Sequence, residues 1–183
     1  MIKKIIVSRF VNENNKYNYD FYIGNKFEIS KSDGVSVKEI IIPKKYINEI
    51  LDYFDNYRIP DKLFKKQMIK NIEYNGFSEL GSISYNIKGN IARTILYAPK
   101  FYIGKTAEGL DDKLELICLN DLYKNNITHV TIDHRFENNK SRMTNHFSDL
   151  RKNKLLSKLN GNHVSLIKIN KYIKILETLK LEK

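Results

Sequence analysis

The stretch Thr131-Ile132-Asp133-His134-Arg135-Phe136-Glu137-Asn138-Asn139-Lys140-Ser141-Arg142-Met143-Thr144-Asn145-His146-Phe147-Ser148-Asp149-Leu150-Arg151-Lys152-Asn153-Lys154-Leu155-Leu156 decides how the chain is read. Ile132 and Phe136 stand four apart, the spacing of one face of a short helix. Asn138-Asn139 supplies residues that tolerate the left-handed conformation of a tight turn. Ser141 is a good N-cap, and it opens a second helix on which Met143, Phe147 and Leu150 fall at i, i+4 and i+7. Ser141, Asn145, Ser148 and Lys152 point the opposite way. Helix, short polar turn and capped helix make a helix-turn-helix in outline.

Downstream, Leu155 to Leu159 and His163 to Ile169 flank Asn160-Gly161, a strong hairpin-turn dipeptide. Upstream, Leu110, Leu114, Ile117, Cys118 and Leu122 form one apolar stripe of a helix from about Leu110 to Lys124, with Asp111 and Asp112 in its positive first turn. A hairpin directly after a candidate recognition helix is a wing. Residues 110–169 thereby resemble the winged helix-turn-helix family of DNA-binding domains, over about a third of the chain.

The resemblance implies that the helix from Ser141 to about Asn153 enters the major groove of double-stranded DNA. Arg142, Asn145 and Ser148 are then the base-reading candidates, since Arg pairs with guanine, Asn pairs bidentately with adenine, and a serine hydroxyl serves base or phosphate. Lys140, Ser141, Arg151, Lys152, Lys154, Lys158 and His163 are the candidate phosphate contacts, where charge suffices and sequence is not read. Asp149 interrupts this basic face, and it can accept from cytosine or pair with Arg142 or Arg151. Many winged helices bind only proteins, so the motif alone leaves that use open.

Charge favours an anionic partner. The 183 residues carry 32 basic and 21 acidic groups, a net charge of +11. Lysine dominates the basic set, as AT-rich coding produces by itself, so the distribution is more telling than the total. Residues 105–134 sum to −3 and residues 135–174 to +8, and Arg135, Arg142 and Arg151 all fall in the second segment. With 42% hydrophobic positions the chain can bury a core, which excludes a disordered protein. No apolar run reaches the roughly 20 residues of a spanning helix, and Arg9 follows too soon after Met1 for a signal peptide. A soluble cytoplasmic protein is expected. A single cysteine, Cys118, excludes an internal disulfide and a multi-thiolate zinc site, and its stripe position makes it a core residue.

Residues 1–104 read as a mixed α/β unit with two β-hairpins and two helices, and residues 105–183 as the winged helix with a C-terminal helix, giving an α+β protein in two parts. Tyr17, Tyr19 and Phe21 alternate up to Gly24-Asn25, after which Phe27 and Ile29 resume, predicting one hairpin. Ile83, Tyr85 and Ile87, then Gly89-Asn90, then Ile91 to Tyr97 predict the other. Between them Pro43 opens a helix carrying Ile47, Ile50, Leu51 and Phe54; Pro60 ends it, and a second helix with Phe64, Met68 and Ile72 starts at Asp61. In the tail, Asn170 caps a helix whose Tyr172, Ile173, Leu176 and Leu179 form an apolar stripe. That stripe is expected to pair with itself in a homodimer on a palindromic site; the alternative packs it onto the N-terminal unit.

Enzyme patterns are weaker. His129-Val130-Thr131 and His163-Val164-Ser165 have the His-x-Thr/Ser form of two-histidine phosphoesterases, with too little chain between them for a second lobe. Asp133-His134 with Asn139, Asn145 and His146 faintly resembles a ββα-metal nuclease, but Asn145 and His146 lie in mid-helix. A tyrosine nucleophile lacks a histidine cluster, because no histidine precedes His129. Gly-rich phosphate loops and His-Glu-x-x-His are absent from the sequence. The expectation is a non-enzymatic DNA-binding regulator of transcription or of phage or plasmid replication, without metal or cofactor. The alternatives are an inhibitor from a phage or mobile element that binds a host defence or nucleic-acid enzyme through residues 1–104, and a small metal-dependent nuclease.

Overall fold

A computed structural model of the chain describes residues 4–25, 36–56, 62–99, 110–133, 157–158 and 164–178. Their elements run β1 (Lys4–Val11), β2 (Lys16–Gly24), β3 (Ser36–Glu39), α1 (Lys44–Asn56), α2 (Lys62–Asn75), β4 (Phe77–Lys88), β5 (Ile91–Pro99), α3 (Leu110–Lys124), β6 (His129–Asp133), β7 (Ser157–Lys158), β8 (Val164–Lys168) and α4 (Ile169–Thr178). The strands form one eight-stranded sheet in the order β3-β1-β2-β4-β5-β6-β8-β7. Every neighbouring pair is antiparallel except β5 and β6. The architecture is α+β.

Alternation along the strands assigns the two faces. Val7, Tyr19, Phe21, Ile23, Ile83, Tyr85, Ala92, Val130 and Ile167 belong to one buried cluster, together with Ile50 of α1, Met68 of α2, Leu114 and Ile117 of α3 and Tyr172 of α4. All four described helices therefore cover this first face. Strands and helices from both sides of residue 104 share this sheet and this core. Among the described residues no helix is long and apolar enough to cross a membrane.

Local signals are met closely in several places. The β4–β5 hairpin turns on Gly89-Asn90, and Gly89 has φ +59°, as the first central residue of a type II′ turn requires. The Pro43 carbonyl accepts hydrogen bonds from the amides of Tyr46 and Ile47, so the proline sits at the start of α1. Helix α3 has the expected limits but is more enclosed than one stripe implies: Leu116 and Leu119 are buried along with Leu114, Ile117, Cys118 and Leu122. Cys118 is a core residue.

Three expectations are corrected. The first hairpin is β1–β2, closed by residues 12–15 with Asn15 at φ +53°, and not one turning at Gly24-Asn25. From Tyr17 to Gly24, β2 is paired with β1 on one side and β4 on the other, so no edge remains for a strand through Phe27 and Ile29, which lie outside the described residues. Gly24 permits a close approach of backbones instead, since a Cβ there would stand 2.2 Å from the Gly76 carbonyl oxygen, where β2 passes the start of β4.

Ile132 lies in a strand and not in a helix. The run Val130-Thr131-Ile132 is β-branched throughout, and β6 is clamped between β5 and β8. Finally, the tail stripe is used inside the chain. Ile169, Tyr172 and Leu176 of α4 are buried in the common core, which leaves those side chains no free face for self-pairing; Leu179 lies outside the described residues.

Candidate functional site

Most of the expected DNA-reading residues, Arg142, Asn145 and Ser148 with Lys140, Ser141, Arg151, Lys152, Lys154 and His163, lie outside the described residues. Lys158 is described as a backbone position: it is in β7, opposite Ser165 of β8. Strands therefore form on both sides of Asn160-Gly161, with Ser157 opposite Leu166. Strand β8 also pairs along its whole length with β6, from Asp133 opposite Val164 to His129 opposite Lys168. Residues 134–156, outside the described residues, connect β6 to β7, which lies two strands away in the order β6-β8-β7.

The same register bears on the histidines. Val164, directly after His163, is opposite Asp133, whereas His129 is opposite Lys168 at the other end of the pair. His129 and Val164 stand at opposite ends of the β6–β8 pair, about 13 Å apart by strand rise, and His163 itself lies outside the described residues. His129 Nδ1 lies 2.8 Å from the Thr128 hydroxyl, an ordinary local contact. Among the described residues no three His, Cys, Asp or Glu side chains come together as a metal site.

Sequence reasoning did not anticipate a polar cluster beneath α3. Arg9 Nη1 donates to Asp121 Oδ2 at 2.6 Å, and the Tyr19 hydroxyl donates to the same oxygen at 2.8 Å. The Arg9 guanidinium also stands 5.3 Å from the centre of the Tyr17 ring. Tyr172 of α4 donates to Glu115 Oε1 at 3.1 Å. Burial pushes the Glu115 carboxyl up to about 7, against the pull of that hydrogen bond. Burial also drives the Tyr19, Tyr85 and Cys118 groups well above their ordinary values, so the thiol is an inert core group and not a nucleophile. Lys113 meets Glu49 at 2.7 Å. These groups are largely enclosed, with Arg9 Nε and the Tyr85 hydroxyl buried without a hydrogen-bond partner, and their contacts tie α3 to β1, β2, α1 and α4. They hold the fold together and offer no opening to a substrate.

The second face of the sheet differs. On one row Lys16 of β2, Asn86 of β4, Arg93 of β5, Thr131 of β6 and Leu166 of β8 are consecutive partners. On the next row of that face Lys88, Ile91, His129 and Lys168 are consecutive partners. The intervening row, Ile87-Ala92-Val130-Ile167, points into the core. Asn86, Lys88, Arg93 and Lys168 are exposed. Farther along, Asp20 accepts from Asn18 Nδ2 at 2.9 Å and from the Ser82 hydroxyl at 2.7 Å, while the Ser84 hydroxyl donates to Asn18.

Comparison with protein-family models, with curated proteins and with solved structures gives no match.

Proposed function

We propose that the chain is a double-stranded DNA-binding regulator that reads sequence through the helix from Ser141 to about Asn153, flanked by a wing at residues 155–169. The observation that supports this most is the β6–β8–β7 arrangement. The strands on either side of residues 134–156, β6 ending at Asp133 and β7 beginning at Ser157, belong to one sheet, so a helix-turn-helix between them would start and end on that sheet, which suits a base-reading element. That segment opens the most basic part of the chain, and α4 continues the charge with exposed Lys171 and Lys174 after the exposed Lys168 of β8. Arg142, Asn145 and Ser148 are the base contacts in this proposal, and Lys140, Ser141, Arg151, Lys152, Lys154, Lys158 and His163 the phosphate contacts.

Gel retardation with random duplex DNA at two salt concentrations, with and without magnesium, tests it. Intact, retarded DNA whose binding weakens steeply with salt is expected. DNA degraded in the presence of magnesium would transfer the chain to the metal-dependent nucleases. Absence of binding at low salt would leave a protein partner, as for an inhibitor acting through residues 1–104.

A further inference from the structure

We propose that the second face of the sheet, at Lys16, Lys88, Arg93 and Lys168, is a separate contact surface for the phosphate backbone of double-stranded DNA. It takes duplex DNA as the anion from the preceding proposal, but it stands on different residues.

The four cations come from β2, β4, β5 and β8 and are scattered over more than 150 residues of chain, yet the register sets them on two adjacent rows of one face. Neighbouring strands are about 4.8 Å apart, so Lys16 to Arg93 spans about 10 Å and Lys16 to Lys168 about 19 Å. A line of positive charge of that length can follow several phosphates, because a duplex carries one charge per about 1.7 Å of axis. Neither row contains a carboxylate. The nearest acids that the register puts on this face lie outside both rows: Asp20 of β2, four residues from Lys16 and held by Asn18 and Ser82, and Asp133 of β6, two residues beyond Thr131. Elsewhere the fold pairs its buried cations, Arg9 with Asp121 and Lys113 with Glu49. Among the described residues no carboxylate pairs with Lys16, Lys88, Arg93 or Lys168.

The composition of the face selects among anions. A single-strand platform stacks bases on exposed aromatic rings, and these rows hold none. A protein interface of useful affinity is anchored by buried aromatic or large apolar side chains, whereas Ile91 and Leu166, the apolar members here, are half-buried between polar neighbours. Lys and Arg tips on a sheet surface, with Asn86 and Thr131 between them, suit phosphate oxygens and sugars without base contact. Lys168 ends β8, the strand that also pairs with β7 at Ser157 and Lys158.

Titration of the full chain with a labelled random-sequence duplex over a range of salt tests the proposal. Lys88→Ala and Arg93→Ala should each lower the salt slope by about one and weaken binding about 8-fold near 0.1 M salt, the counterion release of one phosphate contact. The double variant K88A/R93A should lower the slope by about two. The control K66A/K70A removes two exposed lysines of α2, on the helical side of the sheet, and should change neither quantity. Because Lys66, Lys70, Lys88 and Arg93 are all exposed, thermal melting should be the same for every variant. An unchanged slope in K88A/R93A, an equal fall in the control pair, or preference for a single strand of the same sequence would overturn the sheet-face surface while leaving the recognition helix standing. A wild-type chain that binds no duplex would overturn both.

Discussion

Arg9 on β1 and Asp121 on α3 are 112 positions apart in sequence and 2.6 Å apart in space. The Asp121 carboxylate also accepts from Tyr19, and its backbone carbonyl accepts from Asn125 Nδ2 at 2.7 Å. This point joins the sheet to its central helix. It is charged and almost fully enclosed, so each partner depends on the other.

Removing one member of such a pair strands the other without solvation. Asp121→Ala and Arg9→Ala are each expected to cost about 3–5 kcal/mol in chemical denaturation. The apolar double variant R9M/D121L should cost less than the sum of the single changes, because it leaves no buried charge behind. Additive losses would mean that the two groups do not compensate one another.

Glu115 predicts a pH dependence. Its carboxyl titrates at about 7 in the folded chain, raised by burial from 4.5. An acid whose folded value is raised contributes stability that is complete below the unfolded value and lost as pH rises through the folded one. Stability should therefore fall between about pH 4.5 and pH 7, and Glu115→Gln should flatten that fall. Tyr172→Phe removes the hydrogen bond that favours the carboxylate and should move the loss to higher pH. Denaturation midpoints across this window, in wild type and both variants, check the sign.

The tail helix is a structural part of the core. Leu176→Ala should cost about 2–5 kcal/mol, and truncation after Ile169 should prevent folding, because Tyr172 and Leu176 leave with it. Lys174→Ala, on the exposed side, should change stability by no more than about 0.5 kcal/mol. A truncated chain that melts like the full one would show that the helix is dispensable.

Base reading and phosphate contact separate experimentally. Asn145→Ala should cost about 1–3 kcal/mol on a selected specific site and much less on random DNA. Replacing Lys152, Lys154 or Lys158 should weaken binding to all sequences alike and lower the salt slope by about one. Equal losses for Asn145→Ala on both kinds of DNA would remove it from base reading.

Local features were legible in the chain alone. Apolar spacing from Leu110 to Leu122 marked α3 and Gly89-Asn90 marked a hairpin, because helix period and turn chemistry are properties of neighbouring residues. Which strands lie side by side emerges only in three dimensions. Alternation along β2 showed that Tyr19 and Phe21 share a face, but not that β1 and β4 occupy both its edges, since a two-residue period is the same whatever the partner. Ile132 and Phe136 have helical spacing, yet open hydrogen-bonding edges on β5 and β8 draw residues 129–133 into the sheet, a non-local gain that overrides a weak local preference. Arg9 and Asp121, and Lys16, Lys88, Arg93 and Lys168, meet for the same reason: sheet register and helix docking bring them together, and no spacing along the chain encodes either.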